Sequence, residues 1–371
     1  MSFYDIWQQL DWTGLQQAIT ESTTADVERA LYHERRDLTD FTALISVAAE
    51  PFLPQMAAEA ERLTRQRFGQ GVSMYLPLYL TNLCANDCSY CGFSMSNKLK
   101  RKVLDEEEVR AECAVIQQMG YQNLLLVTGE HETKGGMDYF RRMLPVVKPY
   151  ASYLMMEVQP LGTEEYRELI ELGLDAVMVY QETYHPATYA EHHLRGKKQD
   201  MRWRMETPDR LGAAGIDKIG LGALLGLADW RTDSLMLAHH LEYLRKRYWT
   251  SRYSMSFPRL RPCTGGFNPV HPMSDLQLVQ LICAWRLLDP ELELSLSTRE
   301  SAEFRNGVIP LGITSVSAGS STQPGGYVRP QQELEQFAIH DERPVQRVAS
   351  SIRDAGLEVI WREASVRDWS R

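Results

Sequence analysis

The sequence predicts an α/β fold: a (β/α)8 barrel of the TIM type with an N-terminal helical extension and a C-terminal tail. Eight short apolar runs recur along the middle of the chain, and amphipathic helix patterns lie between most of them. Strands that alternate with helices favour a parallel sheet, and this segment has the length that such a barrel needs, typically about 250 residues. The runs are 74–80, 123–128, 153–158, 176–180, 218–221, 253–257, 292–297 and 314–317.

The first part of the chain, residues 1–72, is predicted to be a helical extension. Apolar residues recur at helical spacing over 12–19, 25–31 and 41–49. Pro51 and Pro54 then introduce a longer helix that runs through Arg67.

The barrel is predicted over 73–318. Its clearest helix covers 106–119, where Asp105 and Glu108 form a capping-box pattern and Gly120 follows the last turn. A second helix is expected over 275–288, after Ser274 as N-cap. The remaining segment, 319–371, is predicted to be a tail with helices over 332–337 and 345–355.

The bulk composition excludes several classes of protein. The chain has 371 residues, of which 44% are hydrophobic, so it can bury a full core. Its net charge of −9 argues against nucleic-acid binding, which needs a concentrated basic surface. We find no apolar run of membrane-spanning length and no signal-peptide pattern at the N-terminus. Six cysteines, three of them clustered, do not form a disulfide framework. We therefore expect a cytoplasmic protein.

The clustered cysteines offer three metal ligands. Cys84, Cys88 and Cys91 have the spacing C-x3-C-x2-C directly after the first predicted strand. Thiolates are the usual ligands of iron–sulfur clusters, and clusters that only transfer electrons normally have four cysteines. Three ligands leave one iron open for a substrate or cofactor. The alternative is a zinc site, which needs a distant fourth ligand such as His131 or Cys263.

This spacing, with aromatic Tyr90 before the last cysteine, resembles the C-x3-C-x-Φ-C motif of radical S-adenosylmethionine enzymes. The resemblance implies a [4Fe-4S] cluster held by Cys84, Cys88 and Cys91. It further implies that S-adenosylmethionine binds at the open iron, with Tyr90 contributing to its site.

Two strand ends continue the resemblance. Thr128-Gly129-Glu130 resembles the Gly-Gly-Glu segment that binds the methionyl ammonium in this superfamily, with Thr128 in place of the first glycine. Glu157 ends the third strand and, by resemblance, binds the ribose hydroxyls. The alternative for Glu157 is a capped strand end.

The fifth strand carries Gly220 and Gly222. This segment resembles the one that pairs its backbone with adenine, and glycines permit such a close approach. It departs from the family pattern because the terminal acidic residue is absent.

The fourth strand ends in a polar segment, 180–185, with the sequence Tyr-Gln-Glu-Thr-Tyr-His. It resembles the corresponding segment of the aromatic amino acid lyases within the superfamily. Gln181 and Glu182 are therefore candidates to hold polar groups of cofactor or substrate. His185 is assigned only a place in the lining of the site.

The seventh strand delivers Ser297 and Arg299 to its carboxyl end. A guanidinium in this position indicates an anionic partner, because it binds carboxylates bidentately. In the aromatic amino acid lyases, a Ser-x-Arg here holds the substrate carboxylate. The alternative is an internal ion pair of Arg299 with Glu300 or Glu303.

The resemblance covers most of the chain and is closest to the tyrosine lyases of bacterial thiazole (thiamine) synthesis. It implies cleavage of the Cα–Cβ bond of L-tyrosine to 2-iminoacetate (dehydroglycine) and 4-cresol, with 5′-deoxyadenosine and methionine formed. It also implies a thiazole synthase partner and reduced flavodoxin or ferredoxin as electron donor. The matching segments are Tyr-Leu-Thr-Asn-Leu-Cys (79–84), Tyr-Gln-Glu-Thr-Tyr-His (180–185), Phe-Pro-Arg-Leu-Arg-Pro-Cys-Thr-Gly-Gly (257–266), Leu-Ser-Leu-Ser-Thr-Arg-Glu (294–300) and Gln-Pro-Gly-Gly-Tyr (323–327).

Three alternatives stay open on the sequence. The first is a related radical enzyme that cleaves tryptophan or acts on another small molecule. The second is a zinc-stabilised barrel that acts as a binding module. The third is an electron-transfer protein, which leaves the polar strand ends unexplained.

Overall fold

A computed structural model describes residues 1–263 and 265–365. Eight parallel strands form one closed sheet, because the last strand pairs with the first, Ser73 opposite Ser315 and Tyr75 opposite Ser317. The predicted barrel is therefore confirmed. Its strands are β1 Gly71–Thr81, β2 Asn123–Thr128, β3 Tyr153–Glu157, β4 Ala176–Met178, β5 Lys218–Gly222, β6 Arg252–Ser256, β7 Glu293–Leu296 and β8 Ser315–Ser317.

Helices surround this sheet, and the predicted caps are present. The Asp105 side chain accepts from the Glu108 amide at 2.9 Å, and the Ser274 side chain accepts from Gln277 at 3.2 Å. The helices that follow the barrel strands are Glu106–Gln118, Met137–Val147, Thr163–Glu171, Pro186–His192, Met201–Met205, Thr207–Ala214, Trp230–Arg247, Asp275–Leu288 and Ala302–Gly312.

The N-terminal extension is helical, as predicted, but is divided differently. The region predicted as one helix over 41–49 forms the helix Leu38–Leu44 and the 3-10 helix Val47–Phe52. Asp37 starts the first of these, because its side chain accepts from the amides of Thr39 and Asp40. The other helices of the extension are Phe3–Trp7, Trp12–Glu21, Thr24–Tyr32 and Leu53–Phe68.

The tail differs most from the prediction. The helix expected over 332–337 is wrong, since only a 3-10 turn, Gln332–Leu334, forms there. The second helix is present as Val345–Asp354. A strand that was not predicted, β9 Glu358–Ile360, pairs in parallel with the start of β1. The predicted tail extends to 371, and its last six positions, 366–371, lie outside the described residues.

The tail also closes the N-terminal end of the barrel. The Glu363 carboxylate accepts from the Ser73 hydroxyl at 2.6 Å and from the Lys218 ammonium at 3.2 Å. Active sites of such barrels lie at the opposite end, where the strands carry their carboxyl termini. The division into 1–72, 73–318 and 319–371 stays a prediction. Among the helices of the described residues, none is long and apolar enough to cross a membrane.

Candidate active site

The loop that carries the clustered cysteines follows β1 and is held from inside by one arginine. The Arg101 guanidinium donates to the carbonyl oxygens of Asn82, Phe93 and Ser94 at 2.6–2.8 Å. Asp87 adds a second tie, since it accepts from the Ser94 hydroxyl at 2.5 Å. These bonds give the loop a fixed shape before any ligand binds.

The three cysteines contribute to one cavity at the open end of the barrel. Cys84, Cys88 and Cys91 are free thiols, and all three line this outer cavity. Burial raises the pKa of Cys84 to about 11, so ligation of a metal must displace its proton. Three soft donors on one cavity wall fit an iron–sulfur cluster with an open position.

The two fourth ligands considered for the zinc alternative do not reach the cavity of the cysteines. His131 and Cys263 are not among the residues that line the outer cavity. The Cys263 thiol instead donates to the backbone oxygen of Tyr90 at 3.2 Å. Within 1–263 and 265–365, no three His, Cys, Asp or Glu side chains converge as ligands of a single ion.

Tyr90 is fixed by a chain of hydrogen bonds. Its hydroxyl lies 2.7 Å from Nε2 of His193, whose Nδ1 lies 2.6 Å from the Tyr189 carbonyl oxygen. The carbonyl can only accept, so Nδ1 donates to it and Nε2 accepts from Tyr90. Burial lowers the pKa of His193 to about 2, which keeps the ring neutral. His193 reaches this position on a short antiparallel pair, Asp87–Cys88 with His193–Arg195.

The end of β2 has an unused polar atom. The Thr128 hydroxyl is buried and has no hydrogen-bond partner among the described residues, and Thr128 lines the outer cavity. Gly129 allows the end of β2 to lie close to the cysteine loop, because a Cβ at this position would collide with the Leu83 backbone oxygen. An unsatisfied hydroxyl beside the cysteine loop fits the predicted contact with a ligand ammonium.

Glu130 belongs to a buried group of four charges that sequence reasoning did not find. Glu130 accepts from Asn86 at 2.6 Å and from Arg204 at 3.0 Å. Arg204 also reaches Glu182 at 3.3 Å, and Lys198 donates to Glu182 at 2.7 Å. Two carboxylates and two cations thus compensate each other.

These charges keep the carboxylates ionised despite their burial. Burial opposes the ionised form of Glu130 and of Glu182, but the nearby cations outweigh it and hold the pKa of both carboxyls below the usual value. Arg204 and Lys198 belong to no recognisable sequence motif. Their only signal in the sequence is an unusually basic stretch, with Lys-Lys at 197–198 and with Arg202 and Arg204.

Glu182 also has a strained backbone. Its φ is +72°, and it is the single described non-glycine residue with positive φ. Such a conformation costs on the order of 1–3 kcal/mol and occurs mostly where function requires it. The strain arises because consecutive residues are held by different contacts. The Glu182 side chain faces the cavity. The Thr183 hydroxyl and the Tyr184 amide donate to Asp233 at 3.0 and 2.8 Å.

The other two candidates of this segment lie away from the site. Gln181 is buried, does not line the outer cavity, and leaves its Nε2 without a partner among the described residues. The placement of His185 in the site lining is wrong. Its ring caps the helix Pro186–His192 through the Thr188 amide and packs edge-on against Trp12.

Glu157 lines the outer cavity and also a deeper one below it. Burial raises the pKa of Glu157 to about 7, although Arg299 opposes this shift. Its side chain forms no ion pair or hydrogen bond with other described residues. It is therefore available to a ligand, in line with the predicted ribose contact.

Gly220 and Gly222 have a structural explanation. A Cβ at Gly220 would collide with the Met178 sulfur, and one at Gly222 would lie 2.9 Å from the Tyr180 ring. Their carbonyl oxygens accept from Val179 and Gln181. Neither glycine lines the outer cavity or the deeper one, so their contact with adenine stays a prediction.

Arg299 lines both cavities and has no carboxylate partner among the described residues. The predicted alternative, a pair with Glu300, is wrong because Glu300 pairs with Arg259 at 2.9 Å. Arg299 instead stacks on Phe337, with 3.6 Å from its guanidinium carbon to the ring centroid. Ser297 lies beside it, and its hydroxyl accepts from the Arg299 amide at 3.3 Å.

Phe337 and its neighbour Gln336 were also missed by the sequence analysis. Both come from the tail loop and line both cavities. Gln336 donates to Cys91 at 3.7 Å and accepts from Tyr79 at 2.8 Å. The tail thus bridges the cysteine loop and the arginine.

Comparison with known proteins identifies the family. The radical SAM superfamily model matches residues 78–237, and the biotin and thiamin synthesis associated domain matches 256–358. The chain is 62% identical to 2-iminoacetate synthase of Escherichia coli K12, over 98% of this chain and 96% of that protein. The chain belongs to the 2-iminoacetate synthase family. Identity to the Salmonella typhimurium 2-iminoacetate synthase is 60% over the same shares of each chain. The predicted family is confirmed.

Solved structures agree with this membership of the 2-iminoacetate synthase family. The [FeFe]-hydrogenase maturase HydG matches with a TM-score of 0.88 and 29% identity, over 94% of this chain and 78% of that chain. HydG from Carboxydothermus hydrogenoformans matches with a TM-score of 0.85 over 98% of this chain and 84% of that chain.

Proposed function

We propose that this enzyme is a radical S-adenosylmethionine lyase that cleaves the Cα–Cβ bond of L-tyrosine to 2-iminoacetate and 4-cresol. One observation carries the proposal. The three cysteine thiols and a guanidinium without a carboxylate partner line the same cavity. One cavity thus has both the ligands for a cluster that cleaves S-adenosylmethionine reductively and a cation that can bind the carboxylate of an amino acid.

The cofactors supply the bond-breaking chemistry, and the protein supplies position and electrostatics. When bound, the [4Fe-4S] cluster and S-adenosylmethionine provide the electron and the hydrogen-abstracting radical. Cys84, Cys88 and Cys91 hold the cluster. Closed surroundings matter because a primary radical attacks any nearby C–H bond.

The remaining walls orient S-adenosylmethionine. Thr128, Gly129 and Glu130 receive its ammonium, and Glu157 receives its ribose hydroxyls. Tyr90 and Leu224 pack together and both line the outer cavity, where they would offer an apolar wall to the adenine. Roles of Gly220, Gly222 and Gln181 in this site belong to the same proposal.

The ionic group extends this site. Arg204 and Lys198 hold Glu130 and Glu182 ionised and fixed, so that the acceptors need no reorganisation when the ligand arrives. Glu182 faces the cavity beside them. At the far wall, Ser297 and Arg299 bind the carboxylate of tyrosine.

Product analysis tests the function. The protein is reconstituted anaerobically with iron and sulfide and supplied with reductant, S-adenosylmethionine and tyrosine. We expect equal amounts of 4-cresol and 5′-deoxyadenosine by mass spectrometry. Formation of 5′-deoxyadenosine with tryptophan but not with tyrosine would favour the related lyase instead. A loaded cluster without either product would contradict radical chemistry.

Affinity for S-adenosylmethionine is expected to rise with pH through the titration of Glu157. Burial holds the pKa of Glu157 near 7, above its ordinary value, so the carboxyl is largely protonated at pH 6 and ionised at pH 8. Only the ionised form offers all its acceptors to the ribose. We expect affinity to fall up to about tenfold from pH 8 to pH 6, measured by equilibrium binding. Glu157→Gln should remove this dependence, and an unchanged slope in that variant would exclude Glu157.

We also propose that an acidic electron carrier, reduced flavodoxin or ferredoxin, docks on the outside of the cysteine loop. Lys98 lies in the cysteine loop and Arg195 on the short strand beside it; both are exposed, in a chain whose net charge is −9, whereas exposed Lys197 pairs with Glu132. Both segments pack on the turn before Cys88, because Arg195 lies opposite Asp87 in the strand pair and the Met95 amide donates to the Asn86 carbonyl. Cys88 lies next to Asp87, so this surface is the short route to the cluster.

Lys98→Glu is expected to slow reduction by such a carrier. Lys98 is exposed and has no ion pair among the described residues, so the change repels an acidic partner without breaking an internal contact. We expect the rate with flavodoxin to fall about tenfold at low salt and less at high salt. The rate with dithionite should not change. The matched control is Arg35→Glu in the N-terminal extension, because Arg35 is also exposed and has no ion pair among the described residues; an equal loss there would exclude a local docking surface.

The instability of the product in water favours a second partner protein. 2-Iminoacetate is an imine that water hydrolyses, so we propose direct transfer to a thiazole synthase. Adding that protein should lower the yield of glyoxylate, the hydrolysis product, while the yield of 4-cresol stays the same.

A further inference from the structure

A second, deeper cavity lies inside the barrel below the outer one. We call it the inner chamber; Glu157, Tyr180 and Arg299 line both spaces. Its wall is unusually polar. Interiors of (β/α)8 barrels are mostly filled by branched apolar side chains, whereas here a cluster of hydroxyl groups lines the space. They belong to Tyr75, Tyr180, Ser256, Ser295 and Ser317.

The hydroxyl groups face one another across the chamber. The Ser295 hydroxyl donates to the Tyr75 hydroxyl at 3.3 Å, and the Tyr180 hydroxyl donates to Ser256 at 3.1 Å. Each hydroxyl has one proton and two lone pairs, so these bonds, and the further one between Tyr75 and Ser317, leave lone pairs for another polar group. Leu125 and Val127 line another part of the wall and are apolar.

The spacing along β7 gives the chamber a length. Ser295 lies in β7 and Ser297 directly after its end; both line the inner chamber, and an extended chain places them about 6.5–7 Å apart. This is comparable to the distance from Cα to the hydroxyl oxygen in tyrosine. A tyrosine whose carboxylate lies at Ser297 and Arg299 thus places its phenol at the depth of Ser295.

We propose that this hydroxyl cluster, with Tyr75 and Ser295 as its central pair, is the subsite for the phenol hydroxyl of the substrate. The inference rests on the proposed function and adds what selects tyrosine over phenylalanine. The apolar wall receives the ring, and the hydroxyls pair with the phenol oxygen. A phenylalanine in the same place leaves buried hydroxyls without the partner that tyrosine supplies, which is an effective basis for discrimination.

The test uses Tyr75→Phe and Ser295→Ala in the reconstituted holoenzyme. The two readouts are the KM for tyrosine and the Ki of phenylalanine as a competitive inhibitor. Each variant should raise the KM about tenfold, which corresponds to one lost hydrogen bond, and should leave the Ki of phenylalanine unchanged or lower it, because it removes a hydroxyl that phenylalanine leaves without a partner. The matched control is Tyr121→Phe, whose hydroxyl donates to the Ala318 carbonyl outside both cavities.

Two results would overturn the subsite. An equal rise in KM and Ki indicates a general loss of packing, and unchanged values of both indicate that the phenol binds elsewhere. Failure of the proposed function is seen separately, because it requires that the unaltered enzyme form no 4-cresol from tyrosine. Ser295→Ala guards against misfolding of the larger change, since it only removes one oxygen atom.

Discussion

Cys88→Ala is expected to abolish both cluster retention and all formation of 5′-deoxyadenosine. Cys88 is buried, lines the outer cavity with Cys84 and Cys91, and lies on the short strand pair that also positions His193. With one thiolate removed, two protein ligands remain, which is too few for a site that already leaves one iron open. Iron and sulfide content and the visible absorbance after anaerobic reconstitution measure the first effect, and mass spectrometry measures the second.

Cys263→Ala is the matched control for this experiment. Cys263 lies close to the same loop, since its thiol donates to the Tyr90 carbonyl, but it does not line the cavity. It should therefore retain its cluster and at least most of its activity. If Cys263→Ala also lost the cluster, Cys263 would be a ligand; if Cys88→Ala still produced 5′-deoxyadenosine, the ligand assignment would be wrong.

The barrel could be predicted because its signals are local. Each strand is a short apolar run, and helices such as Glu106–Gln118 carry their own caps. The element that sequence reasoning missed, β9, has no such signal. Its three residues pair with Gly71–Ser73, a part of β1 that lies before the point, Leu76, at which β1 begins to pair with β2. That free edge is a property of the assembled sheet and leaves no pattern in residues 358–360.

The residues of the candidate site likewise comprise some with a local sequence signal and some without one. The residues found by motif lie on consecutive strand ends, where parallel strands bring their carboxyl termini together. Arg204 and Lys198 come from a segment without apolar periodicity, and their roles arise only from ion pairs with Glu130 and Glu182. Charge pairing between distant segments leaves no pattern in a single sequence.

Arg299 shows what the structure adds to a motif. The sequence alone left two explanations for it, a substrate carboxylate or an internal pair with Glu300. The structure excludes the internal pair, because Glu300 pairs with Arg259 instead. The Arg299 side chain lines both cavities and stacks on Phe337. Its stacking partner comes from the tail, which no local pattern connects with β7.

Arg299→Ala is accordingly expected to raise the KM for tyrosine by about 10- to 100-fold, because a hydrogen bond to a charged group contributes about 1.5–3 kcal/mol. The Kd of S-adenosylmethionine, measured at a pH well above the titration of Glu157, should change far less, since its ammonium is assigned to Thr128, Gly129 and Glu130. Arg299→Lys should give an intermediate KM, because lysine retains the charge and loses the bidentate geometry. Thermal unfolding of each variant separates the lost stacking on Phe337 from the lost contact with substrate. Equal losses for tyrosine and S-adenosylmethionine would mean that Arg299 supports the cavity as a whole, and Ser297 would then have to hold the carboxylate without it.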